Sequence, residues 1–244
     1  MRDTSELFWE AQELLRGDRE AARRRLEDEV AGGDENAKFQ LAVVLIEWEP
    51  AEAVRLWSEL DAAGVDGAAY HLGTLHWESD TEAAKHWYRR AISRDDFASG
   101  AAALGLGRLL YNEESPEAVQ WLERAHDAGE EGAAFWLAAC LVSTDPDKAL
   151  ELYRCAIDEG EAKAYYGLGW LLHTKGDNDE ARRAFQAGAD LGDRRCLSAL
   201  VDSWIKDDPR EAFRWFVRWI RSGGLLDLRL PWRRRRFSSS RKGP

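Results

Sequence analysis

The sequence predicts an all-α fold: a right-handed superhelix (solenoid) of about seven antiparallel helix pairs, followed by a basic C-terminal tail. Two observations predict it. The chain repeats a pattern of residues every 31 to 34 positions, and each repeat contains two stretches in which apolar residues recur with the period of an amphipathic helix. Such a recurrence indicates a stacked array, because a single helical hairpin cannot bury its own apolar face. We assign residues 1–223 to the array and residues 224–244 to a C-terminal cap and basic tail.

Four columns of residues keep one register along the chain. The reference column is an alanine in the second helix of each repeat, helix B. A leucine of the first helix, helix A, precedes it by twelve or thirteen residues, and a small residue precedes that leucine by four. Eleven residues after the alanine stands a glycine, or Asp95 in one repeat, where helix B is expected to end. The columns are Ala21, Ala53, Ala84, Ala118, Ala149, Ala181 and Ala212; Leu41, Leu72, Leu106, Leu137, Leu168 and Leu200; Ala37, Ala68, Ala102, Ala133, Ala164 and Cys196; and Gly32, Gly64, Asp95, Gly129, Gly160, Gly192 and Gly223.

The sequence also predicts where helices begin and where two helices pack closely. Proline suits the first turn of a helix, and Asp at the N-cap accepts hydrogen bonds from unpaired backbone N–H groups. Glycines directly after the helix A leucine predict close approach of helices A and B, with large helix B residues filling the groove between repeats. The residues concerned are Pro50, Pro146 and Pro209; Asp80, Asp145, Asp177 and Asp208; and Gly73, Gly107 and Gly169.

At these residues the chain resembles the Sel-1-like repeats, a subclass of the tetratricopeptide-like superfamily. The resemblance is carried by AAYHLG with EAAKHWYRRA and by AYYGLG with EARRAFQAGADLG. It covers residues 37–223, with a degenerate first repeat over residues 5–36, and departs from the family in the shorter distance between the leucine and alanine columns. The resemblance implies an adaptor for protein complexes and brings no catalytic residue with it.

Charge is distributed unevenly along the chain. The formal net charge is −11, but the residues from Gly224 onward carry +6. An acidic array disfavours nucleic acid and favours basic or mixed protein surfaces, because phosphate contacts require Lys and Arg. The cluster Arg233, Arg234, Arg235 and Arg236 leaves an alternative function open, in which the tail tethers the protein to anionic membrane or nucleic acid. The other interpretation is a solvated tail.

We expect no enzyme activity, metal or cofactor. The five histidines form no metal-binding motif and fall at different positions of the repeat. Cys140 and Cys155 could face one another across a hairpin, although a buried thiol is an ordinary core residue. Without a signal peptide or a long apolar span, the chain is expected in the cytoplasm, and its composition suits a GC-rich bacterium.

Helix A carries the candidate binding residues, because in such arrays helix A lines the concave side. We expect it to bind another protein or a peptide there, with no small-molecule substrate. The repeat itself does not require His71, Arg108, Trp136 or Trp170 beside the leucine column, and aromatic residues and arginine are enriched at interface hot spots. The hypothesis is a ligand platform made by Trp136 and Trp170 with Arg108. The alternative is that both indole rings pack against the adjacent repeat.

Overall fold

The computed structural model describes Trp9 and residues 19–205 and 207–222, and within that part of the chain all regular structure is helical: 13 helices and no strand. This confirms the all-α prediction of packed helix pairs. The chain divides into two compact units, Met1–Asp145 and Pro146–Pro244.

In the first unit each helix packs against the next along the chain. Odd-numbered helices are helix B of a repeat and even-numbered helices are helix A. The helices are α1 (Arg19–Ala31), α2 (Glu35–Val44), α3 (Pro50–Ala62), α4 (Ala68–His76), α5 (Thr81–Arg94), α6 (Ser99–Asn112), α7 (Ala118–Asp127) and α8 (Ala133–Leu141).

The second unit continues the same alternation, and its successive helices also pack in chain order. Its helices are α9 (Pro146–Asp158), α10 (Ala164–Lys175), α11 (Asn178–Asp190), α12 (Arg194–Trp204) and α13 (Pro209–Arg221).

The helices begin and end where the sequence predicts. Helices α3, α9 and α13 start at the three prolines, and the Asp80 and Asp208 side chains accept hydrogen bonds from backbone N–H groups of the first helical turn. Asp177 occupies the N-cap of α11 without such a bond. In the column after helix B, four glycines adopt the left-handed conformation, and Asp95 adopts it at φ 55° where glycine is replaced. In the first repeat that role falls to Gly33 rather than Gly32.

The alanine and leucine columns form the core, and they are buried in every described repeat from Ala37 onward. The degenerate first repeat is out of step: Ala21 is exposed and Ala22 is buried in its place. Helix α1 is strongly charged, and the sequence before it has no leucine in the helix A column.

The closest packing between helices joins a helix B ring to helix A glycines. The ring of Tyr88, 1% exposed, lies between α4 and α6. A Cβ atom added to Gly73 of α4 would be 2.6 Å from this ring, and one added to Gly105 of α6 would be 2.7 Å from it. In the second unit, Gly167 meets Tyr153 and Gly169 meets Phe185 in the same way. The prediction that helix A glycines permit close approach is therefore confirmed, and the helix B ring fills the space.

Ion pairs link neighbouring helices B at a fixed register. An arginine six residues after the column alanine reaches an aspartate at the C-terminal end of the preceding helix B. Arg90 Nε lies 2.8 Å from Asp61 Oδ2, and Arg124 Nη2 lies 2.8 Å from Asp95 Oδ1. Arg218 Nη1 lies 2.8 Å from Asp190 Oδ1 in the second unit. A cation in this position also interacts favourably with the helix dipole.

The one lengthened repeat folds back on its predecessor. Asp96 Oδ2 accepts a hydrogen bond from the Gly67 N–H at 2.9 Å, and the Phe97 ring lies against Gly67 while remaining largely exposed. A side chain at position 67 would clash with this ring and would also be strained at a φ of 80°. The extra residues thus form a small bulge tied to the start of α4.

We expect Gly73→Ala to destabilise the fold by about 1–2 kcal/mol, because overpacking against the immobile Tyr88 ring outweighs the gain of about 1 kcal/mol in helix propensity. Urea unfolding followed by circular dichroism measures this. Thr74→Ala, at the exposed neighbouring position, gains propensity without a clash and should be neutral or stabilising. Equal effects of the two substitutions would contradict the ring contact.

Candidate functional site

An arginine and two tryptophans from three successive helices A meet in the first unit. The Arg108 Cζ atom lies 4.8 Å from the ring centroid of Trp77 and 5.2 Å from that of Trp136. Trp77 directly follows α4, Arg108 lies in α6 and Trp136 in α8. All three side chains are half-buried. We call this cluster of Trp77, Arg108 and Trp136 the Arg108 stack.

Tyrosines extend the Arg108 stack along the same helices. Tyr111 meets Trp136 edge-on with ring centroids 5.5 Å apart, and Tyr88 meets Trp77 at 6.3 Å. Tyr70 lies 6.2 Å from Tyr88. Burial raises the pKa of Tyr70, an effect that Glu130 reinforces and the Arg108 charge opposes. Tyr70 and Tyr111 thus add half-buried aromatic area beside the positive charge of Arg108, whereas Tyr88 belongs to the core.

Arg108 differs from every other arginine that stacks on an aromatic ring in the described residues. Arg182 stacks on Trp204, Arg195 on Tyr166 and Arg218 on Trp215, and each also forms an ion pair with an aspartate: Asp207, Asp193 and Asp190, respectively. The Nε atoms of Arg108 and Arg182 are both buried without a hydrogen-bond partner, but in the same part of the chain no carboxylate pairs with Arg108. Its positive charge is thus held by aromatic rings alone.

His71, one of the sequence candidates, belongs to the core. It is 8% exposed and stacks on Trp57, with ring centroids 4.2 Å apart and 20° between the planes. Burial lowers the pKa of His71 to about 4, so the imidazole is neutral at pH 7. Its position, one before the helix A leucine, is also that of Gly105 and Gly167, which receive the rings of Tyr88 and Tyr153. At these three positions the column packs against the preceding helix B, whereas Trp136 in the same column borders Arg108.

Trp170 lies in the second unit and is accessible, with 47% of its surface exposed. Tyr166 precedes it by one helical turn on α10, and Arg195 Cζ lies 5.0 Å from the Tyr166 ring centroid. Trp136 belongs to the first unit, where it contacts Tyr111, Phe135 and Arg108. The combined platform of Trp136 and Trp170 remains a prediction, and each tryptophan is considered within its own unit.

Sequence reasoning missed Trp77 and Tyr111. Both stand five residues after the helix A leucine, whereas the sequence search stopped two residues after it. Positions one before, two after and five after the leucine are three residues apart and therefore share a helix face. Extending the search by one turn would have found both aromatic residues.

The described residues contain no group of three or more His, Cys, Asp and Glu side chains arranged to hold a metal ion. Cys140, Cys155 and Cys196 are free thiols. Burial raises the pKa of Cys140 to about 11 and that of Cys196 to about 12, which keeps both protonated at neutral pH. Arg233, Arg234, Arg235 and Arg236 lie outside the described residues, as does the whole of the predicted cap and tail, residues 224–244.

No helix in the described part of the chain is both long and apolar enough to cross a membrane.

Comparison with known proteins agrees with this geometry. The Sel1 repeat model matches residues 67–96, 100–130, 133–161 and 202–224, and the tetratricopeptide repeat model matches residues 162–191. The fold is thus that of a helical repeat protein. The chain belongs to the tetratricopeptide-like repeat proteins, and most of its repeats are of the Sel1 type. Proteins of this class are generally non-catalytic interaction scaffolds. No curated protein matches the chain.

Two solved structures illustrate the shared fold. The crystal structure of MamA is 19% identical, with a TM-score of 0.56, over 64% of this chain and 96% of that one. The structure of YrrB, described as a tetratricopeptide repeat protein with an unusual peptide-binding site, is 22% identical, with a TM-score of 0.56, over 74% of this chain and 98% of that one. At these identities the likeness concerns the fold alone.

Burial of neutral His71 makes stability depend on pH. The pKa of a histidine in an unfolded chain is about 6.5. As the pH falls below this value, His71 becomes protonated in the unfolded chain, whereas in the folded protein it stays neutral until the pH approaches about 4. The contribution of neutral His71 to the free energy of unfolding is therefore complete above the pKa of the unfolded chain and is lost as the pH falls below it. Between pH 7.5 and 5 we expect His71 to account for a loss of about 2 kcal/mol.

Urea unfolding of the wild type, His71→Gln and His173→Gln at the two pH values tests this expectation. His71→Gln should show a smaller loss on acidification, whereas exposed His173 should make no difference. If His71→Gln lost as much unfolding free energy between the two pH values as the wild type, the His71 imidazole would be accessible to protons in the folded state.

Proposed function

We propose that this protein is a non-catalytic scaffold that binds a segment of a partner protein along its helix A residues. The observation that supports the proposal most is the Arg108 stack. Three consecutive repeats place Trp77, Arg108 and Trp136 together in half-buried positions that the repeat does not prescribe. Tryptophan and arginine in such semi-enclosed settings are the residues that dominate binding energy at protein interfaces.

The packing logic of the repeat supports the same surface. The columns that hold the hairpins together are the buried alanines and leucines, with the helix A glycines against which helix B rings pack. Scaffold packing accounts for His71, whereas the repeat pattern does not require a cation between two indole rings at this position. We therefore include Arg108 and Trp136 in the contact surface, add Trp77 and leave His71 out.

In the second unit we propose Trp170 as a contact of its own. It is the large aromatic residue of helix α10 that remains exposed, and Tyr166 with Arg195 adjoins it. YrrB, which shares the fold, is described as having a peptide-binding site, and this supports a peptide-like ligand here.

Capture of a partner from a lysate of the native host tests the proposal. We expect Trp170→Ala and Trp136→Ala each to weaken capture of the same partner at least about tenfold, because removing an aromatic hot spot costs about 2 kcal/mol or more. The bound protein is quantified by mass spectrometry. Circular dichroism is needed beside it, because half-buried Trp136 also packs against Tyr111.

Phe213→Ala is the matched control. Phe213 is an exposed aromatic residue, 64% accessible, on a helix B. If Phe213→Ala abolished capture while both tryptophan variants retained it, binding would belong to the helix B surface and the proposal would be wrong.

A further inference from the structure

The geometry points to the chemistry of the ligand: we propose that Arg108 binds a carboxylate of the partner segment, next to a flat or apolar residue that lies against Trp77 and Trp136. This inference rests on the proposed function and specifies it. The ligand is thus a peptide with one acidic group at a fixed position.

Arg108 carries a positive charge in a half-buried position. A guanidinium remains protonated at any physiological pH, and holding it half-buried without an anion is unfavourable compared with full hydration. The two indole rings provide cation–π attraction, which is worth less than a hydrogen-bonded carboxylate. No carboxylate of the described residues pairs with Arg108, and its Nε is enclosed without an acceptor.

Other arginines of the same chain show how a ring-stacked guanidinium is neutralised. The three other ring-stacked arginines of the described residues each combine an aromatic ring with an aspartate. Arg195 is the clearest case, because its guanidinium lies over Tyr166 while Nη2 is 2.6 Å from Asp193 Oδ2. Arg108 has the rings without the anion. A bound carboxylate would complete the same arrangement.

Two carboxylates of the same region are already engaged elsewhere. Glu113, just after α6, accepts hydrogen bonds from Lys85 Nζ at 2.9 and 3.0 Å. Glu130 accepts a hydrogen bond from the Ala101 N–H at the start of α6. These interactions hold both acids at other positions, so neither carboxylate neutralises Arg108.

The shape of a guanidinium favours a carboxylate in particular. Its planar N–H groups match the two oxygen atoms of a carboxylate, and such a pair is flat enough to continue the stacking on an indole ring. The carboxylate has two sources in a peptide, an Asp or Glu side chain and the free C-terminus. The overall negative charge of the chain opposes strongly acidic peptides, so we expect one acidic residue rather than an acidic run.

Selection from a phage-displayed library of random dodecapeptides tests the inference. The full chain is used as bait beside Arg108→Gln, which removes the charge and keeps a hydrogen-bonding side chain. Peptides selected on the wild type should share Asp or Glu at one aligned position, next to an aromatic or aliphatic residue. Peptides selected on Arg108→Gln should lack that acidic position.

A selected peptide is then synthesised with Glu and with Gln at the aligned position, and each form is made with a free and an amidated C-terminus. Titration against wild type and Arg108→Gln gives a double-mutant cycle, in which we expect a coupling of about tenfold or more. Arg108→Lys should recover only part of it, because lysine lacks the planar fork. Arg218→Gln removes an equally stacked but internally paired arginine and should leave the coupling intact.

The outcomes separate the two proposals. A coupling that follows the side chain or the C-terminal carboxylate supports the inference and identifies the source. Peptides that bind through Trp77 and Trp136 without any acidic preference would overturn the inference while leaving the proposed function standing. Failure of folded wild-type protein to select any peptide would overturn both.

Discussion

One contact recurs in both units of the fold: an aromatic ring of helix B, Tyr88, Tyr153 or Phe185, fits against glycines of helix A. Tyr88 shows it most fully, since its ring reaches Gly73 in its own repeat and Gly105 in the next. One side chain thereby holds both the two helices of a hairpin and two successive hairpins. Removing water from a ring of this size on both faces contributes a large apolar burial, and close packing leaves no space for another conformation.

This contact also separates the residues that hold the scaffold from those that are available to a partner. Along helix A, the position directly before the leucine packs against the preceding helix B where it is His71, Gly105 or Gly167. Trp136 occupies the same position and remains half-buried beside Arg108. Later turns of the same helices extend beyond the helix B ring, and there Trp77, Arg108 and Tyr111 are only half-buried. Arg108 then remains with aromatic neighbours and no counter-charge, in a fold where other arginines serve as links between repeats.

Much of the fold could be predicted from the sequence, because the repeat uses local signals. Ala84, Leu72 and Gly64 fall into register, and proline and aspartate mark the helix starts, so the hairpins follow from spacing alone. The roles of single residues could not be obtained in this way. His71 and Trp136 occupy the same column, but one is buried because Trp57 faces it and the other borders Arg108, and which ring faces which position depends on the preceding repeat. In the first repeat the pattern was too weak to distinguish Ala21 from Ala22, and the structure buries the latter.

The fit between ring and glycine has a consequence for how the repeats are ordered. The position before the helix A leucine is small where the preceding ring is Tyr88 or Tyr153, and it is His71 where the preceding ring is Trp57. At these junctions the size of the residue before the helix A leucine therefore matches the helix B ring of the preceding repeat. Recombination that duplicates, deletes or shuffles whole repeats would separate each helix B ring from the helix A position against which it packs. Although the sequence is repetitive, its repeats are not interchangeable. A repeat moved to another position would have to be moved together with the neighbour against which it packs.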